Sequence, residues 1–354
     1  MRLAVLGTLP MAAVTAAWAA ANAGTEVVYV SDVAPPGKWS TQVTWDGTPR
    51  HAQIERVRVG SHTEADAFLL IASREESITL TRQYADSMRG KPVVLAPGGF
   101  AIVEAIDKIL NTGTSAPSPL GQLPGFPVTG DIELDNVRIR SVKQNFPLGQ
   151  LGTEDSSALV ATFRPWIPDV VRSTLTETAL SSTNNLIHPP VLLANAARTE
   201  AGEEYLFYRE GLSAGAARMI CGVDDERLEI LRALNQEAVP LTGWFRRYYG
   251  AQGLVGETVQ EMLVNRPSLA DSRGPKTLKH RYVSEDVVYG LAPMEELARR
   301  LNVATPFLSA LITALSTVCE SDLRAAAPRL VDESTILPMS RFAVAGQHQT
   351  PPHS

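Results

Sequence analysis

The first thirty residues constrain the fold of this chain most. Leu3-Ala4-Val5-Leu6-Gly7 is a short apolar run of the kind that forms a buried strand. An Ala-rich stretch follows a turn and ends at Gly24, a residue suited to closing a helix. A second apolar run, Val27-Val28-Tyr29-Val30, comes at once. Strand, turn, helix and strand in that order predict a βαβ unit. The same stretch also imitates a secretory signal peptide, with Met1-Arg2 in front and Ala21-Asn22-Ala23 as a cleavage-like ending. Cleavage there would remove the first strand and helix of the unit. The element order favours the βαβ reading.

The alternation continues. Apolar runs recur at Phe68-Leu69-Leu70-Ile71-Ala72 and Pro92-Val93-Val94-Leu95-Ala96-Pro97, with a polar, helix-compatible segment between them. An open, mostly parallel sheet with helices on both faces is expected. Thr112 to Gly130 is rich in Pro, Gly, Ser and Thr and reads as a long surface loop. Asp131 to Val142 alternates as a half-exposed antiparallel strand would. From about Ile167 the pattern turns helical. Glu226 to Ala238 carries Leu228, Ile230, Leu231 and Leu234 at helical spacing, and Met294 to Leu301 continues it. Thr305-Pro306 is an N-cap and first-turn Pro before an apolar helix from Phe307 to Val318. The expected division is an α/β domain over 1–168, a helical domain over 169–340, and a frayed tail over 341–354.

Composition narrows the function. The 354 residues are 44% hydrophobic and 20% charged, with a net charge of −6 and no basic run. That argues against nucleic acid and against an anionic membrane surface as partners. No stretch beyond the amino-terminal segment is long and apolar enough to span a bilayer. Cys221 and Cys319 are the only cysteines, so neither a disulfide framework nor a structural metal site is expected. A reducing cytoplasm fits.

Two blocks concentrate chemistry. The first is Asn184-Asn185-Leu186-Ile187-His188-Pro189, and the second is Arg281-Tyr282-Val283-Ser284-Glu285-Asp286. They place an Asn, an imidazole, an Arg and carboxylates in an otherwise apolar, helix-forming region. A His held by a carboxylate is the minimum equipment for moving a proton near neutral pH. Each residue has a plainer alternative. A His before Pro can serve a core hydrogen bond, Arg281 a structural ion pair, and Asn184 a helix cap.

The carboxy-terminal half resembles the opine dehydrogenases, the octopine/nopaline dehydrogenase family. The resemblance rests on Asn184 to Glu200, Tyr205 to Gly211, Asp224-Asp225-Glu226-Arg227, Trp244 to Gly250, Arg281 to Leu291, and Leu297 to Leu308. These blocks stand in the family's order over about 150 residues. The family joins an amine to a 2-oxo acid and reduces the imine with NAD(P)H. Its fold is a Rossmann-like dinucleotide-binding domain followed by an all-helical domain, with the reaction in the cleft between them. The resemblance implies that His188 is the catalytic histidine and Asp286 its carboxylate partner, with Glu285 as the alternative. It implies that Asn184 faces substrate or nicotinamide and that Arg281 holds a substrate carboxylate. A small amine and a carbonyl compound would be the substrates, and a homodimer is compatible.

The dinucleotide end departs from the family. Its G-x-G-x-x-G/A turn reads here Gly7-Thr8-Leu9-Pro10-Met11-Ala12. Gly7 and Ala12 keep the pattern, Leu9 replaces the middle glycine, and Pro10 removes one donor near the pyrophosphate. Ser31, followed by Asp32, falls where an acidic residue commonly binds the ribose, and Lys38 is the nearest following cation. Ser73-Arg74-Glu75-Glu76 replaces an apolar turn, while Pro97-Gly98-Gly99 matches. Three functions follow. One is an imine reductase using NADP or NAD. The second is a non-redox enzyme (imine condensation, cyclisation, isomerisation or elimination) with no nucleotide bound. The third is a non-catalytic partner subunit.

Overall fold

A computed structural model describes residues 1–330 apart from 34, 134, 135 and 154. The expected tail at 341–354 lies outside the described residues. The chain opens with β1 (Arg2–Leu6), α1 (Pro10–Ala23) and β2 (Glu26–Val30). A hairpin of β3 (Gly37–Trp45) and β4 (Thr48–Val57) comes next. β5 (Ala67–Leu70), α2 (Arg74–Met88), β6 (Val93–Leu95) and α3 (Ile102–Leu110) resume the alternation. β7 (Leu120–Gln122), β8 (Val128–Glu133), β9 (Asn136–Val142), β10 (Phe146–Gln150), α4 (Ser157–Phe163) and β11 (Val170–Ser173) complete this part.

The eleven strands among the described residues share one sheet, ordered β11-β10-β7-β6-β5-β1-β2-β4-β3-β9-β8. Its pairings are parallel except β3–β4, β8–β9 and β7–β10. β1 lies near the middle, between β2 and β5, and Leu3 to Leu6 are fully buried. A strand segment covered on both faces must be apolar, as Leu3 to Leu6 are. The far side of the sheet folds over α1, which packs on β2, β4 and β8 as well as β1. Ala12 to Ala19 are all buried, with Trp18 edge-on to Trp45 of the hairpin. The small side chains of α1 suit a helix packed between sheet surfaces. Gly24 closes α1 at φ +58°, as the sequence predicts.

Two expectations fail here. Thr112 to Gly130 is not a surface loop: it contains β7, and Leu120, Leu123, Phe126 and Val128 are buried. Its prolines and glycines punctuate short buried pieces. Asp131 to Val142 is not one strand but parts of two, β8 and β9, paired antiparallel.

The remainder is helical: α5 (Leu175–Leu180), α6 (Thr183–Ala194), α7 (Ala196–Glu200), α8 (Ala214–Ala233), α9 (Leu241–Tyr249) and α10 (Val259–Val264). Then come α11 (Arg281–Ser284), a π-helical turn at Val287–Leu291, α12 (Ala292–Arg300), α13 (Pro306–Val318) and α14 (Leu323–Ala326). The expected class, a Rossmann-like domain followed by an all-helical domain, is the one observed. α8 begins twelve residues before the expected Glu226 and stops at Ala233, after which Asn235 turns into the left-handed region. Thr305 stands at the N-cap of α13 but makes no cap bond. The Glu226 carboxylate does so from α8, accepting from Phe307 and Leu308 N–H at 2.7 and 2.8 Å.

Gly7 is the tightest point of the nucleotide-type turn. Its φ is +151°, and a Cβ there would lie 2.0 Å from the carbonyl oxygen of Ile71. Gly7→Ala should therefore cost more than about 3 kcal/mol of stability, the sum of a forbidden dihedral and a backbone clash. Urea denaturation checks this, and an unchanged midpoint would refute the tight packing of β1 on β5.

Candidate active site

α6 carries the first block. Asn184 and His188 lie four residues apart on it, so both present to one side. Pro189 and Pro190 sit inside the helix and remove two backbone donors, at a cost of about 3 kcal/mol each in an ordinary helix. Burial of Leu186, Ile187, Val191 and Leu192, at roughly 1.5–3 kcal/mol apiece, outweighs it. Asn184 is not the cap of α6: the helix starts at Thr183, with Ser182 in the cap position.

His188 Nδ1 lies 2.7 Å from Asp286 Oδ2, and both residues are buried. Glu285, the sequence alternative, is engaged elsewhere. It takes Arg74 Nη1 at 2.9 Å, in an ion pair whose side chains are 1% and 11% exposed. Arg74 Nε and Nη2 also donate to the carbonyl of Gly98, at 3.2 and 2.9 Å. One guanidinium thus ties the start of α2 and the loop after β6 to the helical domain, next to the His–Asp pair. Breaking a buried pair leaves an uncompensated charge. Arg74→Met should cost about 3–5 kcal/mol in thermal or urea unfolding, and a loss under 1 kcal/mol would show that the pair is not buried in solution.

The imidazole is clamped. Tyr282 stacks on it at 3.9 Å between centroids and 23° between planes, and Phe207 meets it edge-on. His188 Nε2 lies 3.0 Å from the hydroxyl of Tyr208. Burial lowers the His188 pKa, against the opposing pull of Asp286. Burial would raise the Asp286 pKa, but the His188 hydrogen bond and the charges of His188, Arg281 and Arg74 outweigh it and hold it low. Burial pushes the Tyr208 hydroxyl well above its ordinary value. These directions assign an ionised Asp286, a neutral imidazole donating from Nδ1, and a Tyr208 hydroxyl donating to Nε2. Neither tyrosine was singled out from sequence, although both lie inside the blocks that carried the family resemblance.

A cavity of about 310 Å³ opens at this group. His188, Tyr208, Tyr282, Asn184 and Arg281 line it, and Met11 from the first turn of α1 borders it. Phe126, Thr129 and Gly130 form part of its wall, so the segment expected as surface loop contributes to the site. Arg281 faces this cavity; no carboxylate among the described residues lies within ion-pair distance of it, although its charge acts on Asp286.

The nucleotide end has its own geometry. Leu9 occupies the N-cap position of α1, extended at φ −64° and ψ 142°, and packs partly buried against the core. Pro10 opens the helix, Ala12 is buried, and the Thr8 N–H donates to Glu76 Oε1 at 2.9 Å. A carboxylate oxygen thus already occupies the Thr8 amide, the donor that an anion at this turn would use. Ser31 is buried; its N–H donates to Val57 O at 3.0 Å, and its hydroxyl accepts from Val33 N–H. That backbone bond sets Arg58, the next residue of the chain after β4, beside the end of β2. Sequence spacing pointed instead to Lys38, the second residue of β3. Gly98 is pinned between Gln122 and Leu123: its N–H donates to Leu123 O, and a Cβ would lie 2.4 Å from the Gln122 side chain. Pro97 precedes it in the same loop.

Fold and site together define a two-domain protein of the dinucleotide-enzyme type, with a buried acid–base pair at the domain seam. Residues 171–319 match the family described as NAD/NADP octopine/nopaline dehydrogenase, alpha-helical domain. The chain is 26% identical over 272 residues to the opine dehydrogenase of Arthrobacter sp. strain 1C, covering 74% of this chain and 73% of that protein. It is 31% identical over 145 residues to vitopine synthase of Allorhizobium ampelinum, covering 40% of this chain and 39% of that one. Among solved structures, octopine dehydrogenase in complex with NADH and agmatine aligns over the whole of both chains, with a TM-score of 0.74 and 16% identity. NADP+-bound yersinopine dehydrogenase aligns over 95% and 94% of the two chains, with a TM-score of 0.64 and 14% identity. The chain is a homologue of the opine dehydrogenases.

His188 gives a titration test. A histidine whose folded pKa is lowered is neutral in the folded state above that value, and the stability tied to its neutral form is lost as pH falls below about 6.5. Its imidazole resonance, identified by difference with His188→Ala, should titrate below about 6.5, and lower still in Asp286→Asn, where the opposing carboxylate is gone. A midpoint above 7 in the wild type would contradict the assigned protonation.

Proposed function

We propose that this protein is an NAD(P)H-dependent opine dehydrogenase. It joins the amino group of an amine or amino acid to the carbonyl of a 2-oxo acid and reduces the product to a secondary amine. The observation that carries this reading is the buried Asp286–His188–Tyr208 line opening on a cavity beside the first turn of α1. Condensation releases water and gives an imine; reduction adds a hydride to carbon and a proton to nitrogen. NAD(P)H supplies the hydride when bound. The protein's own work is to hold the substrate, exclude water and manage the proton. Asp286 fixes the Nδ1–H tautomer, which leaves Nε2 and the Tyr208 hydroxyl as the exchangeable pair at the cavity. Arg281 holds a carboxylate and Asn184 orients the reacting atoms. The α/β part, 1–168 with β11 closing the sheet just beyond, receives the nucleotide, and the helical part receives the substrate.

The nucleotide's phosphates meet the Gly7-Thr8-Leu9-Pro10 turn ahead of Ala12, and its ribose meets Ser31. Pro97 and Gly98 border the nicotinamide end. Ser31 in place of an acid, with Arg58 brought beside it, favours the 2′-phosphate of NADPH. Glu76 opposes the pyrophosphate until it turns away. That contact is also the observation favouring a second reading, proton chemistry on the same scaffold without nucleotide.

Calorimetric titration with NADPH and NADH decides between them. NADPH is expected to bind in the micromolar range and more tightly than NADH, with Arg58→Ala narrowing the gap. Removing the repelling charge by Glu76→Gln should tighten NADPH by about tenfold, of order 1.4 kcal/mol. No binding of either nucleotide at millimolar concentration, in wild type and Glu76→Gln alike, would retire hydride transfer and leave the second reading.

A further inference from the structure

The cavity at His188 is walled by more positive charge than its chemistry at His188 requires. Besides Arg281 it holds Arg140, Lys143 and Arg266. Its acid, Asp131, is taken by Arg140 in an ion pair. Among the described residues no carboxylate lies within ion-pair distance of Lys143 or Arg266. The Arg266 guanidinium lies 3.4 Å above the ring of Tyr249 and donates to Ser141 Oγ at 3.2 Å. The Lys143 ammonium donates to the carbonyl of Phe126 at 2.8 Å and rests 4.7 Å from the centre of the Phe146 ring. Burial and the Arg266 charge lower the pKa of Lys143. Burial would raise the Tyr249 pKa, but the two cations outweigh it and lower it. Two cations that line one cavity and feel each other's charge, with no carboxylate partner among the described residues, repel each other, and the arrangement becomes favourable when an anion enters beside them.

We propose that Lys143 and Arg266 form a second carboxylate subsite, distinct from Arg281, and that the amino donor it serves carries an uncharged side chain. This rests on the opine dehydrogenase reading and narrows its substrate class. A secondary-amine product made from an amino acid and a 2-oxo acid bears two carboxylates, and the cavity offers two separate cationic stations. A side chain carrying a cation finds no free acid to meet it: Asp131 is paired, and Asp286 is behind the imidazole. The remaining wall is uncharged: apolar at Phe126, Ile187, Phe245, Leu263 and Leu269, and hydroxyl-bearing at Thr129, Thr183, Ser268 and Ser272. A guanidinium buried there would be desolvated and repelled by three cations. Aliphatic or aromatic amino acids fit; arginine and agmatine do not.

The test uses full-length protein and two product-like probes, N-(carboxymethyl)norvaline and N-(carboxymethyl)arginine, titrated by calorimetry with and without NADPH. The norvaline probe should bind at least tenfold more tightly than the arginine probe. Arg266→Gln should weaken the norvaline probe at least tenfold, and Lys143→Met by a similar factor. Arg266→Lys, which keeps the charge, should recover most of the loss, which separates the subsite from damage to the Tyr249 stack; thermal melts confirm folding. Equal or tighter binding of the arginine probe overturns the side-chain assignment. Unchanged affinity in both charge-removing variants, or no binding of either probe by wild type, overturns the subsite. None of these readouts needs turnover, so failure of hydride transfer would be seen separately, in the nucleotide titration.

Discussion

Two carboxylates adjacent in sequence are buried at the seam between the sheet and the helices, and each must find its own partner. Glu285 and Asp286 would repel each other there, and one would take up a proton, if both faced the same solvent-free space. The π-helical turn that follows them is preceded by a backbone that sends them to different places. Glu285 meets Arg74, and Asp286 meets His188. The first contact fixes how the two domains meet, and the second fixes the tautomer of the imidazole. Arg74 also helps keep Asp286 ionised. The structural ion pair and the acid–base pair are therefore linked through Arg74, which binds Glu285 and whose charge also acts on Asp286.

Much of this was legible in the chain. The βαβ opening was readable because buried parallel strands and an Ala-rich helix are encoded locally. His188, Asn184 and Arg281 were readable because they lie in blocks long enough to carry a family resemblance. What escaped was set by contacts distant in sequence. Whether Glu285 or Asp286 meets His188 depends on Arg74, more than two hundred residues away. Arg58 is set beside the end of β2 only because β4 pairs with β2. Thr112 to Gly130 resembled a loop because turn residues punctuate it, yet its few apolar residues are buried. The Asp46-Gly47 hairpin had a local signal, with both residues in the left-handed region that such a turn demands, and it passed unread.

At the nucleotide end, departures of sequence are not departures of geometry. Gly7 is still forced by the approach of Ile71, and Leu9 is accommodated because its side chain turns to the core at the helix cap. Glu76, by contrast, acts at the backbone amide itself. An acidic residue bonded to that amide competes with any phosphate for the same donor.

The charge in the substrate cavity is hard to explain structurally. Cations placed for stability are paired, as Arg227 is with Asp224 in the helical core, and Arg140 with Asp131 at the cavity itself. Lys143, Arg266 and Arg281 break that habit within one cavity, in a chain whose net charge is −6. Three cations with no carboxylate partner among the described residues share one cavity with His188, an arrangement that suits anions arriving from outside. Their number exceeds what one carboxylate requires and matches a ligand that brings two.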